Sequence, residues 1–189
     1  MKQFEQRLRN RQDKGEFWWE LRACDYYQDF ENPKVIVQCI AYYAQFAFDP
    51  GRHYVNNKVI VIPTNDLYVL GILNSRVMWW IVNRTFQHMK DEGLSVDVQF
   101  LKRLPIPVPK TSVRSEIEAL TRELVTLATG ARGQDDRRFR FELKLNDLVL
   151  DAFQLADERK ILEASLPLRD PIDSLTDQDE LEPKAVDME

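Results

Sequence analysis

Histidine is the side chain that most readily moves protons near neutral pH, and this chain has two, His53 and His88. Both fall in segments that read as loops, and neither lies near a Gly-x-Ser-x-Gly elbow that would supply a nucleophile. The six glycines form neither a Gly-x-Gly-x-x-Gly turn nor a phosphate loop ending in Lys-Ser/Thr. The cysteines, Cys24 and Cys39, make no Cys-x-x-Cys pair, and no His-x-x-x-His spacing occurs, so metal-ligand spacing is missing. Glu-x-Lys, the ending of many metal-dependent nuclease dyads, occurs twice. Glu142-Leu143-Lys144 falls on an amphipathic helix whose solvated face explains it. Glu182-Pro183-Lys184, with Asp170 upstream, falls in an acidic C-terminal stretch. Neither follows a recognisable strand, and the residues point to no catalytic site of this chain's own.

The chemistry that does stand out is recognition. Residues 1–110 mix aromatics, amides and cations in the proportions that nucleic acid selects. Arg22, Lys34, Arg52, His53, Lys58, Arg76, Arg84, Lys102 and Arg103 can neutralise phosphates. Gln38, Asn56, Asn57 and Asn65 are the amide types that pair with adenine edges, and arginine is the type that pairs with guanine. Contacts of this kind belong on connections between rigid elements. Arg52, His53, Asn56, Asn57 and Lys58 surround two turns between strands. Arg84, Gln87, His88 and Lys90 follow an apolar helix. Lys34 and Gln38 lie on the first strong strand. These eleven are the expected DNA contacts.

The elements that must hold them are legible in outline. Residues 1–16 are polar and read as a solvated lead-in. Phe17-Trp18-Trp19 follows, with Trp18 and Trp19 expected in the core beside Leu70, Leu73 and Trp80. After Asn32-Pro33, the β-branched run Lys34 to Ile40 predicts a buried strand. Phe46-Ala47-Phe48, a turn at Asp49-Pro50-Gly51 and a return at Tyr54-Val55 predict more sheet. Lys58 to Ile62 is the clearest strand, and Pro63 ends it. Leu67, Leu70, Leu73, Val77, Trp80 and Ile81 recur at helical steps, predicting one buried helix over 66–84 with Asn65 or Asp66 as cap. Asn74-Ser75 inside it competes with the backbone and is expected to cap the helix or tie it to a strand. Thr85 to Asp97 reads as a polar loop and Val98 to Leu101 as a short strand. Leu104-Pro105-Ile106-Pro107-Val108-Pro109 must be extended. Beyond it, Ser115 with Glu118 suggests a capping box. The stripes Ile117–Leu127 and Phe141–Leu155 predict two amphipathic helices, with Gly130 ending the first and a last turn through Leu162. The fold class expected is α+β: a curved, mostly antiparallel sheet with a buried helix, closed by two to three C-terminal amphipathic helices.

Composition sets the bounds. Of 189 residues, 44% are hydrophobic and 30% charged, which is ordinary for a soluble globular chain, and no run of 18 apolar residues exists to span a membrane. The polar N-terminus is no secretory signal and nothing indicates an oxidising compartment, so a cytoplasmic setting is expected. The net charge of −5 hides a division. Residues 1–110 carry 15 basic and 12 acidic side chains and 17 of the 20 aromatics, whereas residues 111–189 carry 11 basic and 19 acidic. The acidic total therefore does not exclude nucleic acid as a partner of the first part. The expected organisation is a lead-in over 1–16, a recognition sheet domain over 17–110, a helical close over 111–165 and a disordered acidic tail over 166–189.

The order of the pieces is more specific than their composition. Asp13-Lys14-Gly15-Glu16-Phe17-Trp18-Trp19-Glu20-Leu21-Arg22-Ala23-Cys24-Asp25-Tyr26-Tyr27, then Phe30-Glu31-Asn32-Pro33-Lys34-Val35-Ile36, resembles the opening of the TaqI-like C-terminal specificity domain. That is the target-recognition domain of restriction-modification DNA adenine methyltransferases and their fused restriction enzymes. Phe46-Ala47-Phe48-Asp49, Asn56-Asn57, Asp66-Leu67-Tyr68-Val69-Leu70-Gly71-Ile72-Leu73-Asn74-Ser75 and Leu104-Pro105-Ile106-Pro107 resemble later pieces of that domain in the same order. The two closing helices, ending Phe153-Gln154-Leu155-Ala156-Asp157-Glu158, are similar to the helical end of such enzymes. The similarity extends over roughly residues 10–165.

The resemblance implies a domain that reads duplex DNA opposite a catalytic core. The core holds S-adenosylmethionine and methylates a flipped adenine through an Asn-Pro-Pro-Tyr-type motif. This chain has Asn32-Pro33-Lys34, which belongs to the specificity motif, and neither the catalytic motif nor a cofactor-binding glycine motif. The implied reading is a recognition portion without catalysis or cofactor of its own, either an excised C-terminal fragment or a free-standing polypeptide. The partners implied are double-stranded DNA and a methyltransferase core in cis or in trans, with S-adenosylmethionine, and Mg as an option, belonging to the parent enzyme. An interaction module docking a methyltransferase or other partner through the C-terminal helices stays open as the alternative.

Overall fold

The computed structural model describes residues 2–20, 25–90, 93–129 and 135–165. Pro33 starts β1 (Lys34–Gln38), whose Val35, Ile36 and Val37 suit the pleated backbone. It is the middle strand of an antiparallel sheet, flanked by β3 (Ala47–Asp49) and β4 (Val59–Ile62). The register pairs Val35 with Phe48 and Ile62, and Val37 with Ile60, so these side chains line the face that packs on the core. The opposite face carries Lys34 paired with Asp49, then Ile36, then Gln38 beside Val59. The chain then crosses into a second antiparallel sheet. β2 (Ile40–Ala41) pairs with β6 (Leu94–Ser95), which pairs with β5 (Gln87–His88). Cys39 is the joint: its amide donates to Lys58 O at 2.8 Å and its carbonyl accepts from Val96 N at 2.9 Å. Two small sheets meeting at one residue take the place of the single curved sheet, and the α+β class holds.

The helix expected over 66–84 is two helices, α3 (Leu67–Leu73) and α4 (Arg76–Thr85). Asp66 caps the first, accepting from Tyr68 N at 2.9 Å. The break falls at Asn74-Ser75, and each residue has its own role. Ser75 Oγ accepts from Met78 N at 3.2 Å and caps α4. Asn74 bonds both backbone groups of Phe46, accepting at 3.0 Å and donating at 2.8 Å, and so ties the helix to the start of β3.

Other expectations shift. Val98–Leu101 is not a strand but a short helix, α5, because Asp97 caps it by accepting from Gln99 N at 2.7 Å. Tyr54-Val55 is irregular, and the stretch 85–97 contains β5 and β6. The lead-in holds the short helix α1 (Glu5–Arg9). Trp19 lies outside the core: it is 48% exposed and stacks on Phe17 at 4.8 Å, with Trp18 edge-on and half-buried. Trp79 takes the buried place and Trp80 is only half-buried. A short α2 (Tyr27–Glu31) precedes β1.

The extended Pro-rich strap is held by Tyr68, whose hydroxyl donates to Pro107 O at 2.7 Å. After it come α6 (Thr111–Thr129), which starts a turn before Ser115, then α7 (Asp135–Ala152) and α8 (Arg159–Ser165). Ile117, Leu120, Leu145 and Val149 are buried in one cluster with Tyr68, Leu70 and Ile72, so α6 and α7 complete the same core as the sheets. Gly71 marks the crossing: a Cβ there would lie 2.4 Å from Thr121 Oγ1 and 3.1 Å from Ile117 Cγ2. Gly130 and the acidic stretch 166–189 lie outside the described residues. No helix among the described residues is long and apolar enough to cross a membrane.

Candidate nucleic-acid interface

β3 and β4 both run antiparallel to β1, so they are parallel to each other and need a crossover between them. Residues 50–58 make it. The register Lys34↔Asp49 puts its start at one end of β1, and Gln38↔Val59 puts its finish at the other. Four strand steps separate the ends, roughly 13 Å at about 3.3 Å per residue. This crossover carries Arg52, His53, Asn56, Asn57 and Lys58, all exposed.

The start is pinned from below. Asp49 is 2% exposed, and its carboxylate lies 2.6 Å from the Lys34 ammonium, which is itself 0% exposed and also donates to Phe30 O at 2.6 Å. Asp49 accepts further from Arg52 N at 3.0 Å, His53 N at 3.2 Å and His53 Nδ1 at 3.1 Å. Burial pushes the Asp49 carboxyl up. The Lys34 ammonium and the Arg52 and His53 donors outweigh it and hold the group well below the usual carboxylate range. Gly51 has φ +91°, and a Cβ there would lie 2.2 Å from Glu31 O, so the turn presses on the end of α2. Tyr54 completes the brace, donating to Glu31 Oε1 at 2.9 Å and stacking on Phe30 at 5.2 Å. The Glu31 carboxylate raises the Tyr54 phenol above its ordinary value, so its hydroxyl stays the donor.

The finish is a tight turn in which Asn56 Oδ1 accepts from Lys58 N at 3.0 Å and Asn56 O accepts from Val59 N at 3.2 Å. Part of the Asn56 amide thus shapes the turn, while the side chains of Asn57 and Lys58 stay at the surface. Because Lys58 O binds Cys39 N, this turn sits where the two sheets join. Gln38 is exposed there at the end of β1. Ile40, Ser95 and Gln87 align across the second sheet, with Ile40 and Gln87 exposed. His88 Nε2 is 2.7 Å from Asn83 O, so this nitrogen carries the hydrogen, and Lys90 follows, exposed.

One expected contact needs correction. Lys34 is not at the surface: its ammonium neutralises a buried carboxylate, and a phosphate cannot reach it without unpacking α2. Arg84 is exposed, but its guanidinium lies 4.1 Å over the Trp80 ring and donates to Ser165 O at 3.0 Å, which fastens α8 to α4. Gln38 and the Asn56–Lys58 turn meet at Cys39, with β5 on the far side of β6 in the second sheet, while Arg52 and His53 stand at the other end of the crossover. The supports at Asp49, Glu31 and Tyr54 were not singled out from sequence. Asp49-Pro50-Gly51 signalled the turn, but nothing in the spacing of Lys34 and Asp49 signals a cross-strand pair. Arg22 lies outside the described residues.

Fold and site together define a small α+β scaffold that presents polar and basic side chains on connections braced by buried groups. Residues 3–106, more than half of the chain, match the TaqI-like C-terminal specificity domain, and the chain belongs to that family. No curated protein matches the chain.

Proposed function

We propose that this chain is a DNA sequence-recognition domain of a restriction-modification enzyme. It positions duplex DNA for an adenine methyltransferase or endonuclease core supplied in cis or in trans, and S-adenosylmethionine, and Mg where the core also cleaves, are held by that core. A cytoplasmic setting follows from this role. The observation that carries the reading is the family match over residues 3–106. The geometry supports it. The crossover spans a length comparable to the major groove, about 12 Å wide. Arg52, His53, Asn57 and Lys58 stand exposed along it, Gln38 is exposed at its second end, and Gln87, His88 and Lys90 are exposed on the second sheet. The alternative, a protein-interaction module using the helical stripes, loses support because Ile117, Leu120, Leu145 and Val149 are buried in this chain's own core.

The test is fluorescence anisotropy with labelled duplex DNA across a salt series. Binding should weaken steeply with salt, with a log–log slope of about −0.9 per neutralised phosphate. Replacing Arg52, Lys58 or Lys90 by Ala should each reduce that slope by about one. Absence of binding at low salt, or binding indifferent to salt, would refute the reading.

A further inference from the structure

The two ring nitrogens of His53 are not equivalent in this fold. Nδ1 lies 3.1 Å from Asp49 Oδ1, and the His53 side chain is 71% exposed while Asp49 is 2% exposed. Asp49 is ionised, because the Lys34 ammonium touches it at 2.6 Å and two backbone amides donate to it. A carboxylate only accepts, so Nδ1 must carry the hydrogen. In the neutral imidazole, Nε2 is then a bare lone pair on the ring edge away from Asp49. Lys34 lies behind Asp49, Arg52 and Tyr54 are the neighbours of His53 in the chain, and Tyr54 is bonded to Glu31 of α2.

A bare acceptor cannot pair with a phosphate oxygen, which also accepts. The donors that a duplex offers in its major groove are the exocyclic amines, N6 of adenine and N4 of cytosine. Arg52 and Lys58 can only donate, and therefore suit phosphates and guanine edges. An Nε2 lone pair of this kind is something that neither cation on the crossover can offer.

We propose that His53, its tautomer fixed by Asp49, is a specificity-determining acceptor that takes the exocyclic amine of an adenine or cytosine in the major groove. Asp49 and Lys34 are positioning residues that act through it. The inference rests on the DNA-recognition reading above and deepens it by assigning one side chain to one class of base edge.

Two measurements on the full chain decide it. The first needs no DNA: nitrogen-15 NMR of the imidazoles, with His53 assigned by its loss in His53→Ala. In the neutral imidazole, Nδ1 should be the protonated nitrogen and Nε2 the bare one, and the opposite tautomer would overturn the proposal. The second is selection from a random duplex pool. Wild type should enrich a consensus, and since every base pair offers one such amine in the major groove, the position it reads is the one whose preference His53→Ala alters. His53→Ala should lose preference at that position by about 10- to 100-fold, the scale of one good base contact, a larger loss than its loss of affinity for scrambled duplex. Asp49→Asn should weaken preference at the same position. A merely structural role would instead lower specific and scrambled binding together. A consensus unmoved by His53→Ala overturns this inference alone, whereas failure of wild type to bind any duplex at low salt overturns the recognition reading with it.

Discussion

Lys34 shows how a buried charged side chain can order an exposed connection. At the first residue of β1 it faces Asp49 across the strand pair, under α2. Two buried charges are tolerated because each has its counterion at 2.6 Å and further hydrogen bonds. Lys34→Met leaves an uncompensated buried carboxylate and should cost about 3–5 kcal/mol, measured by urea unfolding followed through tryptophan fluorescence. Lys34→Met with Asp49→Leu removes both charges and should regain most of that stability. It should still release the Arg52 and His53 amides, seen as faster hydrogen exchange. The pH dependence follows from the direction of the Asp49 shift. Its folded pKa lies below the ordinary 3.8, so the ionised pair stabilises fully above that value and loses its contribution as pH falls below it. In Lys34→Met the sign reverses, since protonation relieves the buried charge. The stability gap between the two proteins should narrow as pH drops from 7 toward 3.

At the scale of elements, the break between α3 and α4 joins sequence reading and structure. The helical periodicity runs through Asn74-Ser75 without interruption, so the pattern alone predicts one helix. The polar pair is legible as a cap or tie, yet the partner that makes it a break, Phe46, is 28 residues away. Long-range partners explain the other differences too. β1 and β4 were readable because β-branched runs bounded by proline are local signals. The two-residue strands β5 and β6 exist only through pairing, β6 with β2 on one side and with β5 on the other. Lys34 reads as a surface residue by type, and its burial against Asp49 is tertiary. Gly71 gives this scale its test. It lets α3 approach α6 with Thr121 Oγ1 2.4 Å from the place of a Cβ. Gly71→Ala should therefore destabilise by about 1–3 kcal/mol through overpacking. Thr121→Ala removes that oxygen, so thermal unfolding of the double variant should show a smaller loss than the two single losses added.

For the whole molecule, the charge division and the core division do not coincide. The cationic, aromatic-rich part ends at the Pro-rich strap, and the family match ends at residue 106 beside it. The core runs through that boundary. Ile117 and Leu120 of α6 and Leu145 and Val149 of α7 cover Tyr68, Leu70 and Ile72. Arg114 of α6 reaches back to the capping residue of α3, pairing with Asp66 at 2.5 Å and lying 4.5 Å over the Tyr68 ring. Asn146 of α7 accepts from Arg76 N at 2.9 Å at the start of α4. Without these helices, α3 and α4 would present their buried faces to water, and each large side chain so exposed forfeits about 1.5–3 kcal/mol of burial. Domain stabilities total only about 5–15 kcal/mol. A chain ending at residue 110 should thus fail to fold on its own, with collapsed amide dispersion in the NMR spectrum and no cooperative melt. A chain ending at residue 165 should melt cooperatively near the temperature of the full protein. If the 110-residue chain instead melts cooperatively, the sheets hold their own core and the helices are an appendage. The placement of the crossover depends on the first outcome, because Asn74 at the C-terminal cap of α3 fixes the start of β3, β3 ends in Asp49, and Asp49 sets Arg52 and His53.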